Sequence, residues 1–205
     1  MKYIVTSLLT ASFLLVCSPG TWSQVNSSNK PPVRKFKHNS KVETIYDKAK
    51  NQTTVYLRPM MLRYIKSSIE ARIISESRTD FLPGEMLSMT AYFLTPGKVM
   101  VKPEFVVIGF RSQALDQTKY ANDHALSINL DGSSMNLGSL AVTERRIDAL
   151  GPNQYVLESF ELPIPYETFR RITSAQKVTI RLASEQFELR SEHLEAFRDL
   201  LSKVE

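Results

Sequence analysis

The sequence predicts a mainly β domain of the α+β kind: an antiparallel β-sandwich or curled sheet with two helices packed on it. Two observations predict this. From Val42 onward apolar and polar residues alternate with a period of two, the repeat of a half-buried strand. Turns, and not helices, join these runs at intervals of about 10 to 15 residues, which excludes the parallel βαβ pattern.

Each element has its own signal. Thr53-Thr54-Val55-Tyr56-Leu57 is β-branched and aromatic and predicts a strand. Ile65, Ser67, Ile69, Ala71 and Ile73 alternate with Lys66, Ser68, Glu70 and Arg72 and predict another. After the turn Leu82-Pro83-Gly84-Glu85, the apolar positions Leu87, Met89, Ala91 and Phe93 alternate with Ser88, Thr90 and Tyr92. Thr95-Pro96-Gly97-Lys98 turns the chain again. Phe105 to Phe110 is then apolar at both parities, as expected of a strand at the centre of a sheet. Leu126 to Leu130 runs into Asp131-Gly132 and returns through Met135 and Leu137. Asp-Gly suits a type I′ hairpin turn, in which both central residues take positive φ. Tyr155 to Leu162 and Val178 to Leu182 complete the strands.

Helical periodicity occurs twice. Pro165 suits a first helical position, and Tyr166, Phe169 and Ile172 follow at helical spacing, predicting a short helix near 165–174. Ser191 as N-cap and Glu192 in the first turn open a second helix near 191–204, striped by Leu194, Phe197, Leu201 and Val204.

The domain organisation follows from the ends of the chain. Met1-Lys2-Tyr3, the apolar run Ile4 to Val16, Pro19-Gly20 and the small residues Thr21 and Ser23 stand in the order of a secretory signal cleaved before Gln24. Residues 1–23 are therefore read as a signal peptide, 24–41 as a basic flexible linker and 42–205 as a single β-rich domain. No segment is expected to span a membrane in the mature chain. Cys17 is the only cysteine, so cleavage removes the sole thiol, whereas lipidation at Cys17 would make the protein a membrane-anchored accessory lipoprotein. A disulfide-free exported domain fits a bacterial envelope, periplasmic or extracellular, although the sequons Asn26-Ser27-Ser28 and Asn51-Gln52-Thr53 are also compatible with a eukaryotic secretory route.

Composition is globular, with 42% hydrophobic and 23% charged residues, which argues against a disordered chain. The net charge of +5 is unevenly spread. Between Lys30 and Lys50 seven basic residues face only Glu43 and Asp47, while from Asn51 on 18 basic residues meet 19 acidic ones. Lys30, Arg34, Lys35, Lys37 and Lys41 are the candidate contacts to an anionic envelope surface, the tail being read as flexible and solvated. A partner envelope protein is the other expected kind of partner. Nucleic acid is not expected, because Phe36 is the only aromatic residue of the tail before Tyr46 and stacking platforms are missing.

Tyr46-Asp47-Lys48 with Thr53-Thr54-Val55, Tyr166-Glu167-Thr168-Phe169-Arg170-Arg171-Ile172 leading to Ala175 and Val178, and Phe187-Glu188-Leu189 followed by Leu194-Glu195-Ala196-Phe197-Arg198 resemble an uncharacterised domain of exported bacterial proteins. The resemblance spans roughly Val42 to Val204. It implies a β-rich domain with a C-terminal helix and implies no activity.

Catalytic signals are sparse, and the function expected is non-enzymatic: binding or structural. The three histidines are His38 in the tail, His124 in a loop and His193 in the last helix. Asp116, Asp123, His124 and Asp131 would form a cation site only if their loops converge. Asp123, His124 and Ser133 are the residues on which a rival reading, a hydrolase with loop-contributed groups, would rest. Glu158 and Glu161 fall on opposite faces of a strand and suit solvated edges better than a paired acid and base. Tyr120 and Tyr155 are the candidate sugar platforms, with core packing as the plainer role. No cofactor motif is present, and His124 is expected to be solvated.

Overall fold

A computed structural model describes residues 35–66, 84–115, 119–120, 122–150 and 153–204. All of these fall in one compact unit, Lys35–Glu205. The signal peptide, Lys30, Arg34, Asp116 and most of the strand expected at 65–73 lie outside the described residues.

The strands are β1 (Val42–Asp47), β2 (Gln52–Lys66), β3 (Gly84–Pro96), β4 (Phe105–Leu115), β5 (Ala125–Leu130), β6 (Ser133–Ser139), β7 (Ala141–Leu150), β8 (Asn153–Pro165), β9 (Val178–Leu182) and β10 (Glu185–Glu188). The helices are α1 (Tyr166–Ser174), between β8 and β9, and α2 (Ser191–Leu201), at the end. Two antiparallel sheets result, one ordered β1-β2-β3-β4-β8-β7 and the other β10-β9-β5-β6. The mainly β, two-helix architecture expected from the period-two pattern is the one observed.

Register explains the core. Leu57, Ala91, Ile108 and Leu162 lie in one cross-strand row, and Met60, Met89, Phe110 and Phe160 in the next. These residues form one apolar cluster with Leu126, Ile128, Val178, Ile180 and Leu182 of the smaller sheet and with Phe169, Phe197 and Leu200 of the helices. The Phe169 and Phe197 rings meet edge-on, 5.0 Å apart at 63°, so α1 and α2 are joined through that core.

Strand β4 is interior to its sheet, as its apolar run requires. Gly109 at its middle is opposite Thr90, where a Cβ would come within 2.8 Å of the threonine methyl. The β5–β6 turn has positive φ at both Asp131 (49°) and Gly132 (95°), as the Asp-Gly pair predicts. The expected strand Thr53–Leu57 extends through β2, which absorbs two bulges, between Leu57 and Met60 and between Met61 and Arg63. Pro59 sits in the first bulge, where the ladder does not need its missing N–H.

Three expectations need correction. Helix α2 is preceded by Arg190 as its N-cap, with Ser191 already helical, and Pro165 likewise precedes α1. Strand β7 and the four-residue β10 were not anticipated. The compact unit begins at Lys35, not Val42, so Lys35–Lys41 is no free linker: the His38 side chain is only 7% exposed, its Nε2 3.3 Å from Asp199 Oδ2. Lys48 and Lys50 belong to the β1–β2 turn and not to a tail.

Candidate functional site

A cationic concavity lies where His38–Lys41 meets β2 and the start of α2. It is a cleft of about 420 Å³ lined by His38, Lys41, Arg58, Met61, Arg190, Glu192 and His193, among others. The Arg58 N–H donates to the Lys41 carbonyl at 2.9 Å, just beyond the first β1–β2 ladder pair, Val42 with Leu57, and this brings the two cations together. Glu43 receives Arg58 Nη2 at 2.7 Å and Lys41 Nζ at 3.2 Å. Those hydrogen bonds hold its carboxyl below the usual range. Arg190 Nη1 lies 3.1 Å from Glu192 Oε1. The lining thus carries three cations, Lys41, Arg58 and Arg190, against one carboxylate, Glu192.

His193 forms the floor of this cleft and is buried. Its Nδ1 accepts from the Arg190 backbone N–H at 3.2 Å, and the ring also hydrogen-bonds the Met61 backbone. Arg190 has no acceptor with which to cap the helix, so the return bond from His193 does the orienting. Burial, reinforced by the nearby Arg190 charge, pushes the imidazole below its ordinary pKa of 6.5. A neutral ring is what the geometry requires, since Nδ1 must accept. Lys35 and Lys37, in the segment that leads to His38, are exposed, with no ion pair among the described residues. Of the five candidate anion contacts, Lys41 lines the cleft together with Arg58 and Arg190, Lys35 and Lys37 are exposed outside its lining, and Lys30 and Arg34 lie outside the described residues.

The hydrolase candidates are not brought together. His124 and Asp123 precede β5 while Ser133 follows its far end, about 20 Å away at strand rise. Asp123 Oδ1 accepts the Ala125 N–H at 2.9 Å, a local turn bond. His124 is not solvated as expected. Its ring packs 5.2 Å from that of Phe160 and its Nε2 is buried. Asp131, offered as a cation ligand, accepts the Lys177 N–H at 2.7 Å and the Gln176 N–H at 3.1 Å, tying the hairpin to β9. Among the described residues no three His, Cys, Asp or Glu side chains cluster as metal ligands would.

The two glutamates of β8 do face opposite sides, but neither is a solvated edge residue. Glu158 is buried and receives Arg145 Nε at 2.8 Å. Glu161 accepts from the Tyr92 hydroxyl at 3.0 Å, and burial with that bond raises the phenol to about 12. Tyr120 and Tyr155 are both buried, so neither is a sugar platform.

Sequence reasoning missed one polar cluster. Glu185 of β10 receives Arg63 Nη1 of β2 at 2.7 Å and the Tyr120 hydroxyl at 2.8 Å, linking the two sheets. Burial pushes Glu185 up, but the Tyr120 and Arg63 hydrogen bonds outweigh it and the carboxyl falls below its ordinary range. Burial and the same carboxylate drive the Tyr120 phenol well up. It remains a donor throughout the physiological range, which suits a brace between sheets better than proton transfer. Its members come from three distant stretches, so no local spacing announces it.

No helix among the described residues is long and apolar enough to cross a membrane. No family model, curated protein or solved structure matches the chain.

Proposed function

We propose that this chain is an exported, non-catalytic domain that holds an anionic polymer of the cell envelope at the cleft between Lys35–Lys41, β2 and α2. The observation that carries the reading is the convergence of Lys41, Arg58 and Arg190 on one concavity, with Lys35 and Lys37 exposed in the segment that leads to it. A multivalent anion suits this arrangement better than a single small one. Several partly neutralised cations give a broad, screened attraction and no tight bidentate pocket. Export is supported by the signal-like order of Met1 to Ser23. Asp123 and His124 stand at the opposite end of β5 from Ser133, so these three candidates do not form a hydrolase site.

Cell fractionation with intact-mass analysis tests the compartment. The expected species is found outside the cytoplasm, begins at Gln24 and contains no thiol. A full-length cytoplasmic chain overturns export, and a mass starting at a diacylated Cys17 replaces the free domain with a lipoprotein.

A further inference from the structure

The end of the larger sheet remote from the cleft carries a second, differently built surface. There the β1–β2 turn and the β3–β4 loop lie side by side, joined where the Gly97 N–H donates to the Asn51 carbonyl at 2.7 Å. Thr53 Oγ1 donates to the Gly97 carbonyl at 2.5 Å and fixes the same corner. The loop reads Lys98-Val99-Met100-Val101-Lys102-Pro103. Met100 packs against the core and Pro103 is buried, so the loop is anchored. Val99 is nevertheless 70% exposed and Val101 42%. On the adjoining outer face Ile45, Leu94 and Phe105 are also exposed, Ile45 and Leu94 both flanking Thr54 in the ladder. Five large apolar side chains thus meet solvent at one end of a domain whose other described surfaces are mostly polar.

The charge around them indicates the occupant. Lys48, Lys50, Lys98 and Lys102 are all exposed at this end, against Asp47, Glu104 and Glu167, the last shared between Lys102 and Arg170. Asp47 is engaged locally, its Oδ1 accepting the Ala49 N–H at 2.9 Å. Lys98 Nζ lies 5.0 Å from the centre of the Tyr46 ring and Lys102 Nζ 4.8 Å from that of Tyr166. Each ammonium group thus sits over an aromatic face, a cation–π contact, while both lysines stay exposed. Aliphatic tips ringed by lysines complement an anionic bilayer: the lysines meet lipid phosphates at the depth where the valines enter the acyl boundary.

We infer that the β3–β4 loop, with Val99 and Val101 at its tip and Lys48, Lys50, Lys98 and Lys102 around it, docks the domain onto an anionic phospholipid surface. This surface is separate from the cationic cleft. It rests on the proposed export only for which membrane is met, so the two readings fail separately.

Trp22 is the only tryptophan, so a tip-specific optical probe is available. The full chain is prepared with Trp22→Phe and Val99→Trp, and a second form with Trp22→Phe and Ile147→Trp. Ile147 is 65% exposed on β7. It lies about 30 Å along the sheet from the tip at strand rise. Melting curves matching the parent establish that both forms fold. Each is mixed with vesicles of phosphatidylglycerol and acyl-brominated phosphatidylcholine. The expected result is a blue-shifted, bromine-quenched indole for Val99→Trp only, lost when phosphatidylglycerol is omitted or when Lys98→Gln and Lys102→Gln are added. An indole at position 99 that stays water-like while the protein sediments with the vesicles overturns the inference. Equal quenching of the two forms also overturns it, as does quenching that survives without anionic lipid. Lys35→Gln, Lys37→Gln and Lys41→Gln together must leave the tip signal intact; their abolishing it would assign vesicle binding to the cleft.

Discussion

At the scale of single residues, two positions decide more than their neighbours. Gly109 allows Thr90 to lie across β4, and a Cβ there would sit 2.8 Å from the threonine methyl, inside any ordinary contact. Gly109→Ala is expected to cost about 1 to 3 kcal/mol in chemical denaturation, the range for overpacking. Thr90→Ser removes that methyl and keeps the hydroxyl bond to the Leu57 carbonyl, so the double variant should recover most of the loss. His193 is the second. Its folded-state pKa is depressed, chiefly by burial, so the unfolded chain binds a proton more readily than the folded one. The neutral ring's contribution is full above the unfolded value of 6.5 and is lost as pH falls through the lower folded value. Stability measured by urea melts should therefore fall more steeply from about pH 7 to about pH 5 in the parent than in His193→Asn, where the titration is removed. Parallel pH profiles would show that His193 does not titrate in this window. Neither role was legible in the sequence. A glycine inside an apolar run does not reveal what stands across the ladder, and a histidine at the third position of a helix reads equally well as a surface group.

At the scale of elements, legibility followed burial. The Asp131-Gly132 hairpin and the striped helix near 191–204 were readable because each combines a period with a local steric demand. Strand β7 (Ala141–Leu150) was not, since it is an exposed edge strand in which Glu144, Arg145, Arg146 and Asp148 break the alternation. Such charges are how an edge discourages further pairing. Strand β10 has only four residues and is recognised by its partner β9, not by its own pattern. The continuity of β2 was hidden by Pro59, which reads as a break until the bulge accommodates it. Helix α2 belongs to the core. Phe197 is 1% exposed and packs against Phe169, so Phe197→Ala should cost about 3 to 5 kcal/mol in a denaturant titration. A loss below about 1 kcal/mol would mean that α2 detaches without consequence for the sheets.

At the scale of the whole molecule, the excess positive charge divides between two places. The sequence assigned Lys30 to Lys50 to one flexible tail, because charge counting sees only the order of residues. Folding sends Lys41 to the cleft and Lys48 and Lys50 to the opposite end of β1, about 20 Å away at strand rise. The cleft itself was half legible. Lys35, Lys37 and Lys41 stand out in the sequence, whereas Arg58 and Arg190 join them only through β1–β2 pairing and the docking of α2. The most direct test of the proposed function is the salt dependence of binding to a soluble polyphosphate chain, measured by calorimetry on the parent and on the Lys35→Gln, Lys37→Gln, Lys41→Gln variant. The cations are exposed or partly so and are screened over about 8 Å at physiological ionic strength. Parent affinity should therefore fall about tenfold or more between low and moderate salt, and the variant should bind weakly with a flatter dependence. Equal affinity and equal salt dependence for the two proteins would contradict the cleft as the binding site.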